Sequence, residues 1–212
     1  MTDRALLTLV QWLSPAFPTG AFAYSHGLEQ AIGAGTVHDA ASLAAWLGDI
    51  LRFGAGRQDA VLVCAAMAPG ADVGALDALA RALQPSAERL RETTAQGAAF
   101  SATVAGIGGP APGAYCLPVA VGAAAAPLGL PPARVAALYL QGFAGNLCTI
   151  AVRHVPLGQT EGQAVLASLI PAILSVAEAA AATAPDEIGS AALAADLDAI
   201  AHETRPVRLF AT

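Results

Sequence analysis

The side chains equipped for chemistry are few. Four histidines (His26, His38, His154, His202) and three cysteines (Cys64, Cys116, Cys148) are the soft and borderline ligands of this 212-residue chain. His26–Glu29 and Asp198–His202 stand at i, i+3 and i, i+4. On a helix, either spacing can place two ligands on one metal. The same spacings are common among ordinary helix-surface pairs, and no third ligand lies close in sequence to either. No stable metal site is therefore expected, and a transient or subunit-interface site is the stronger form of the idea. The cysteines form no CxxC pair, are odd in number and each sits in an apolar stretch, which fits buried thiols in a reducing compartment. No GxSxG elbow occurs, and no cysteine lies beside a basic cluster. Ser14 and Ser25 sit among proline, glycine and histidine as turn and cap residues. The stretch GIGGPAPG (106–113) has neither GxGxxG nor GxxxxGK[ST] and reads as a linker. The expectation is a protein without a catalytic centre.

Composition narrows the class. The chain carries 54 alanines, 56% hydrophobic and 12% charged residues, with a mean hydropathy of +0.58. Alanine is the best helix former, and its small side chain lets helices approach closely. Sixteen acidic residues against ten arginines give a net charge of −6, which disfavours an electrostatic nucleic-acid footprint. All ten basic residues are arginine, so no lysine can serve a P-loop, a Schiff base or a kinase site. The two most apolar stretches, 117–130 and 164–184, are broken by proline or carry Glu178. They fall short of a strongly apolar span of about 20 residues. With no signal-peptide pattern at the start, the reading is a cytoplasmic protein with no membrane or nucleic-acid partner.

The elements that must position these side chains read as helices throughout. The periodicity predicts helices over 4–13, 22–33, 39–53, 57–68, 72–83, 86–106, 117–127, 132–153, 160–183 and 187–203, with no strand. Asp39 is the expected N-cap of the third and Pro85-Ser86 opens the sixth. Pro15 and Pro18 forbid helix over 14–19, and Gly20 permits a sharp turn. Within 132–153 the apolar residues cover most of the circumference, which predicts a central, buried helix whose Gln141 and Asn146 need partners. Pro171 predicts a kink. The fold class is all-α: one bundle of about eight to ten helices over 1–212, ending in a tail at 204–212. With so few charged residues to cover its surface, the bundle is expected to dimerise.

Three segments are unusual: 14–30, 152–163 and the tail. In the tail, Arg205 and Arg208 flank the apolar Leu209-Phe210 pair. Arginine offers bidentate, charge-assisted contacts and phenylalanine a pocket anchor. The tail reads as a docking peptide that buries little against its own domain, so removing 205–212 should leave the fold nearly unchanged.

These segments together resemble the urease accessory protein F (UreF) family. LLTLVQWLSPAFPTGAFAYSHGLEQAI (6–32) looks like the family's L-L-x-L-x-x-x-x-S-P-x-x-P-x-G-x-F-x-Y-S-x-G-L-E-x-A opening. VPLGQTEGQ (155–163) looks like its P-L-G-Q-x-x-G-Q, and HETRPVRLF (202–210) is similar to its H-E-x-x-x-x-R-L-F close. The resemblance runs along essentially the whole chain. Ala211 and Thr212 stand where the family often has Arg-Ser.

The resemblance implies a cytoplasmic, all-α, dimeric protein that is not an enzyme and holds no tightly bound cofactor. It implies joining a UreD/UreH-type accessory protein and a UreG-type GTPase in the complex that delivers nickel to apo-urease. It further implies regulation of that GTPase and a share in the passage through which nickel moves. Ser14, Pro15, Pro18, Gly20, Gly27, Pro156, Gly158, Gln159 and Gln163 become residues that set backbone shape. Tyr24, Glu29, Arg205, Arg208, Leu209 and Phe210 become partner-binding candidates. His26, His154 and His202 become candidates for transient nickel contact. The competing reading is a metallochaperone that itself binds nickel through histidines.

Overall fold

The computed structural model describes residues 3–212. It is helical throughout, and no strand occurs among the described residues. The α-helices are α1 (Asp3–Trp12), α2 (Leu28–Gly33), α3 (Ala40–Phe53), α4 (Ala55–Ala66), α5 (Val73–Ala82), α6 (Ala87–Gly106), α7 (Leu117–Ala125), α8 (Pro132–His154), α9 (Gln159–Ser168), α10 (Ile170–Ala181) and α11 (Leu193–His202). Helices α9 and α10 are the two halves of the kinked helix expected from Pro171. The break falls at Leu169, and Pro171 sits in the first turn of α10, where its missing N–H is not needed.

Local chemistry sets most helix starts. Asp39 accepts from the Ser42 N–H while Ser42 Oγ accepts from the Asp39 N–H, a reciprocal capping box. Asp72 caps α5 by accepting from the Ala75 N–H and Ser86 caps α6 by accepting from the Arg89 N–H, each without the reciprocal bond. Glu161 reaches back 2.8 Å to the Gly158 N–H and fixes the start of α9.

The centre of the fold is α4, which buries nine of its twelve residues and packs against α3, α5, α7, α8 and α10. Close approach depends on missing side chains. A Cβ on Gly122 of α7 would overlap the Val63 carbonyl and stand 2.8 Å from the Ala66 Cβ of α4. On Gly97 of α6 it would overlap the Tyr115 carbonyl and lie 2.8 Å from Leu117 N.

Three expectations change. The predicted central helix, α8, is buried along one side only, with Thr149 and Arg153 exposed. Together with the continuous run Gln159–Ala181, it is long and apolar enough by length and composition to cross a membrane. In this fold α8 packs on α4, α9 and α10 instead. The helix expected from residue 22 begins only at Leu28. His26 (φ 60°) and Gly27 (φ 83°) occupy the left-handed region, which ends any helix. A Cβ at Gly27 would lie 2.9 Å from Ala199 N, so the turn is shaped to let α11 pass. Finally, α11 starts at Leu193 rather than near 187, because Gly189-Ser190 and a turn at Pro185–Glu187 intervene.

Candidate partner-binding site

The three unusual segments, far apart in sequence, meet at the tail. The Ala211 N–H donates to the Ala23 carbonyl at 2.8 Å, and the Ser25 N–H donates to the Thr212 carbonyl at 3.0 Å. The Ser25 hydroxyl donates to the same carbonyl. The Leu209 and Phe210 N–H groups donate to the Glu29 carboxylate at 3.1 Å. Phe210 meets His154, at the end of α8, edge to face with ring centroids 5.1 Å apart.

Beneath the tail lies a buried charge network that the sequence reading did not find. Its acids are Glu29 on α2 and Glu88 and Glu92 on α6, all buried. His202 is fully buried, with Nδ1 2.7 Å from Glu88 Oε2 and Nε2 3.1 Å from Glu29 Oε2. An imidazolium can donate at both nitrogens. Arg208 pairs with Glu88, Arg89 pairs with Glu92, and Arg205 donates to Gln30 at 2.8 Å. The Thr212 hydroxyl donates to Glu92 at 2.8 Å. Glu203 accepts from the Glu88 N–H at 3.1 Å.

Burial raises the Glu29 carboxyl, but His202 and the Leu209 and Phe210 N–H groups outweigh it and hold the group below its usual range. Burial also raises Glu92, and the Arg89 guanidinium, with His26, overcomes it and brings the carboxyl to about 2. Burial, followed by the Arg89 charge, holds the His26 imidazole below its usual value. The missed signal was local. Glu88, Arg89, Arg91 and Glu92 put four charges in five positions of a chain that is 12% charged.

The tail is therefore part of the fold. Residues 206–209 and 211 are exposed, as expected of a segment that buries little, and Thr212 at 2% is the exception; what changes is the expectation that removing 205–212 leaves the fold nearly unchanged. Six of its eight residues have an amide, carbonyl, hydroxyl or guanidinium partner in the body of the fold or the helix end before it, and shedding them leaves Glu29, Glu88 and Glu92 each with fewer partners than they have here.

The sequence-level candidates divide by accessibility. Leu209 is 67% exposed, Arg208 lies at the surface, and Phe210, Tyr24 and Arg205 are half-buried. Glu29 is buried and faces inward to His202. Ser14 caps the turn after α1 by accepting from the Ala16 N–H at 3.2 Å, with Pro15 and Pro18 exposed beside it. Gly20 (φ 75°) needs the left-handed turn foreseen for it. Gly158 starts α9, with Pro156, Gln159 and Gln163 on its surface.

The proposed metal pairs do not assemble. His26 lies outside any helix and its Nδ1 stands 3.7 Å from Glu92, while Asp198 accepts from the Trp46 indole at 3.3 Å. His202 has its two carboxylates on opposite ring nitrogens, so they cannot converge on one ion. Among the described residues no group of three or more His, Cys, Asp or Glu is arranged to hold a metal. Of the three nickel candidates, His154 alone is exposed. The three cysteines are buried and unpaired. Burial pushes Cys64 and Cys148 up to about 11 and Cys116 to about 12, so they stay protonated thiols at neutral pH.

A second buried pair stands next to this network. Tyr139 donates to Asp59 at 2.6 Å. Burial dominates there and raises the Asp59 carboxyl to about 6, against the opposing pull of Tyr139 and Arg89. A raised carboxyl binds a proton in the folded chain that the unfolded chain has released. Stability from this group is complete below pH 3.8 and is lost as pH rises through 6. Asp59→Asn removes that loss. Relative to the parent, the variant should gain about 2–3 kcal/mol between pH 4.0 and 7.5. Denaturant titrations of both proteins at the two pH values check this, and a pH-independent difference would refute it.

The fold is an all-helical bundle in which a buried polar network ties residues 23–29 and α6 to residues 202–212. The UreF family model matches residues 37–170. A urease accessory protein UreF from Cereibacter sphaeroides is 62% identical over 210 residues, covering 99% of this chain and 100% of that protein. Relatives of the same name from Jannaschia sp. and Paracoccus denitrificans are 52% and 50% identical, over 98% of this chain and 94% and 96% of theirs. The chain belongs to the UreF family of urease accessory proteins.

Proposed function

We propose that this chain is a non-catalytic adaptor in the cytoplasmic maturation of urease. It joins a UreD/UreH-type accessory protein to a UreG-type GTPase, regulates that GTPase, and helps pass nickel to apo-urease. The observation that carries the reading is the full-length similarity to proteins named urease accessory protein UreF. The geometry supports a docking role. The internal network fixes the tail's backbone so that Val207 and Leu209 point outward, 71% and 67% exposed. Val207 borders a shallow surface depression with Gln30, Ala201, Thr204 and Pro206. A preordered apolar surface of this kind binds without first losing chain entropy. Further exposed apolar residues, Leu7 and Val10 on α1 and Ile170 and Leu174 on α10, support a homodimer. Tyr24, Arg205, Arg208 and Phe210 border the docking surface, and Glu29 acts by holding it. His154, next to Phe210, is the accessible candidate for transient nickel contact.

Leu209→Asp tests the docking surface, because an exposed side chain can change without loss of the fold. Co-purification with the UreD-type partner should fall by about 30-fold or more, as for an anchor of about 2 kcal/mol or above, with an unchanged thermal midpoint. Undiminished co-purification would remove the docking surface from the reading.

A further inference from the structure

A cleft of about 280 Å³ opens between the 12–26 segment, α6 and α8, sharing Tyr24, His26 and Glu92 with the surroundings of the tail. Trp12, Phe100 and Phe143 contribute aromatic walls. Asn146 holds the overhanging loop by donating to the Ala21 carbonyl at 3.1 Å. Two observations mark it as more than a packing defect. Phe22 lines the cleft and is 70% exposed, an apolar ring left uncovered at its rim. At the mouth, Arg153 is exposed and makes no ion pair or hydrogen bond among the described residues.

We propose that this cleft is an anchor socket for a partner polypeptide, taking one aromatic side chain whose neighbouring acidic residue pairs with Arg153. The aromatic walls favour a ring, since rings pack edge to face or offset. The buried Glu92 carboxylate among the lining residues repels an acid inside, so the acid sits at the mouth, where Arg153 is the free cation. The occupant is a polypeptide rather than a small metabolite because Phe22, which also lines the cleft, is 70% exposed. A small buried ligand leaves that ring in water, and a chain passing over the mouth covers it. The proposal rests on the adaptor reading only in taking the occupant to be a polypeptide.

The test uses the isolated full chain, so its failure is separate from failure of the tail surface. The probes are acetyl-Phe-Glu-amide, acetyl-Phe-Lys-amide and acetyl-Ala-Glu-amide, followed by the two tryptophan indole N–H signals in proton–nitrogen NMR. The Trp46 indole, already bonded to Asp198, is the internal control. The Phe-Glu probe should shift the Trp12 signal saturably at concentrations on the order of millimolar and leave Trp46 in place. The other two probes should bind about fivefold more weakly or less well still. Arg153→Ala should weaken Phe-Glu by about fivefold without changing Phe-Lys, and Thr149→Phe, at an exposed lining position, should block both. An unmoved Trp12 signal, or equal response to all three probes, overturns the proposal.

Discussion

Deleting residues 205–212 is expected to lower the thermal midpoint by about 10 °C or more. The deletion removes the Arg208–Glu88 pair, two N–H donors to Glu29, the Thr212 hydroxyl on Glu92 and the Thr212 carbonyl on Ser25. Hydrogen bonds to charged groups contribute about 1.5–3 kcal/mol each and neutral ones about 1. Rehydration of the uncovered carboxylates offsets part of this, leaving a loss on the order of 4–5 kcal/mol. For a domain of this length each kcal/mol moves the midpoint by about 2–4 °C.

The pH dependence carries a signature. Glu29 and Glu92 both sit below their usual range, so the stability they contribute is present above about 4.5 and is lost as pH falls toward 2. The truncated protein should therefore differ most from the parent at pH 7 and converge with it on acidification. Thr212→Ala alone should lose about 1–2 kcal/mol. Differential scanning calorimetry decides the matter, and a truncated protein within about 3 °C of the parent at pH 7 would return the tail to the status of a loose peptide.

The second large effect is expected at Gly97→Ala. The added methyl points at the Tyr115 carbonyl and the Leu117 nitrogen, which are backbone atoms that no rotamer change can clear. Helix α6 must then separate from the start of α7. Alanine gains up to about 1 kcal/mol in helix propensity, but forced separation of packed backbone exceeds it, for a net loss of about 3 kcal/mol. Gly106→Ala, on the same helix with open space around it, should be neutral or slightly stabilising. Chemical denaturation of both variants isolates the contact from the propensity. Equal stability at the two positions would show that α6 and α7 are not held at the spacing seen here.

How far the sequence could be read depended on the range of the interaction. Asp39, Ser86 and Pro171 act within four residues of themselves, and the caps and kink they announce are where the pattern puts them. His26 and Gly27 are the counterexample. Their periodicity continues a helix, but the passage of α11 over Gly27 selects a left-handed turn, and nothing near residue 27 records a neighbour at Ala199. The site shows the same division. Residues 14–30 and the Arg-Leu-Phe tail stood out by composition, yet their mutual contact did not. Glu29 looked like a partner contact because its true partner, His202, lies 173 positions away. The charge run at 88–92 was visible, but only burial turns it from a solvated helix face into the counterpart of the tail.

The bonds between Ser25 and Thr212 span 187 positions. A chain is synthesised from its N-terminus, so Glu29 and Glu88 emerge from the ribosome long before His202 and Arg208, which contact them, while Glu92 has Arg89 beside it from the start. Contacts of such sequence separation form slowly, since the loop they close must first be brought together. Until then Glu29 and Glu88 stay without the contacts that the tail and α11 supply. Docking of residues 205–212 onto α2 and α6 is thus a late step in assembling this fold.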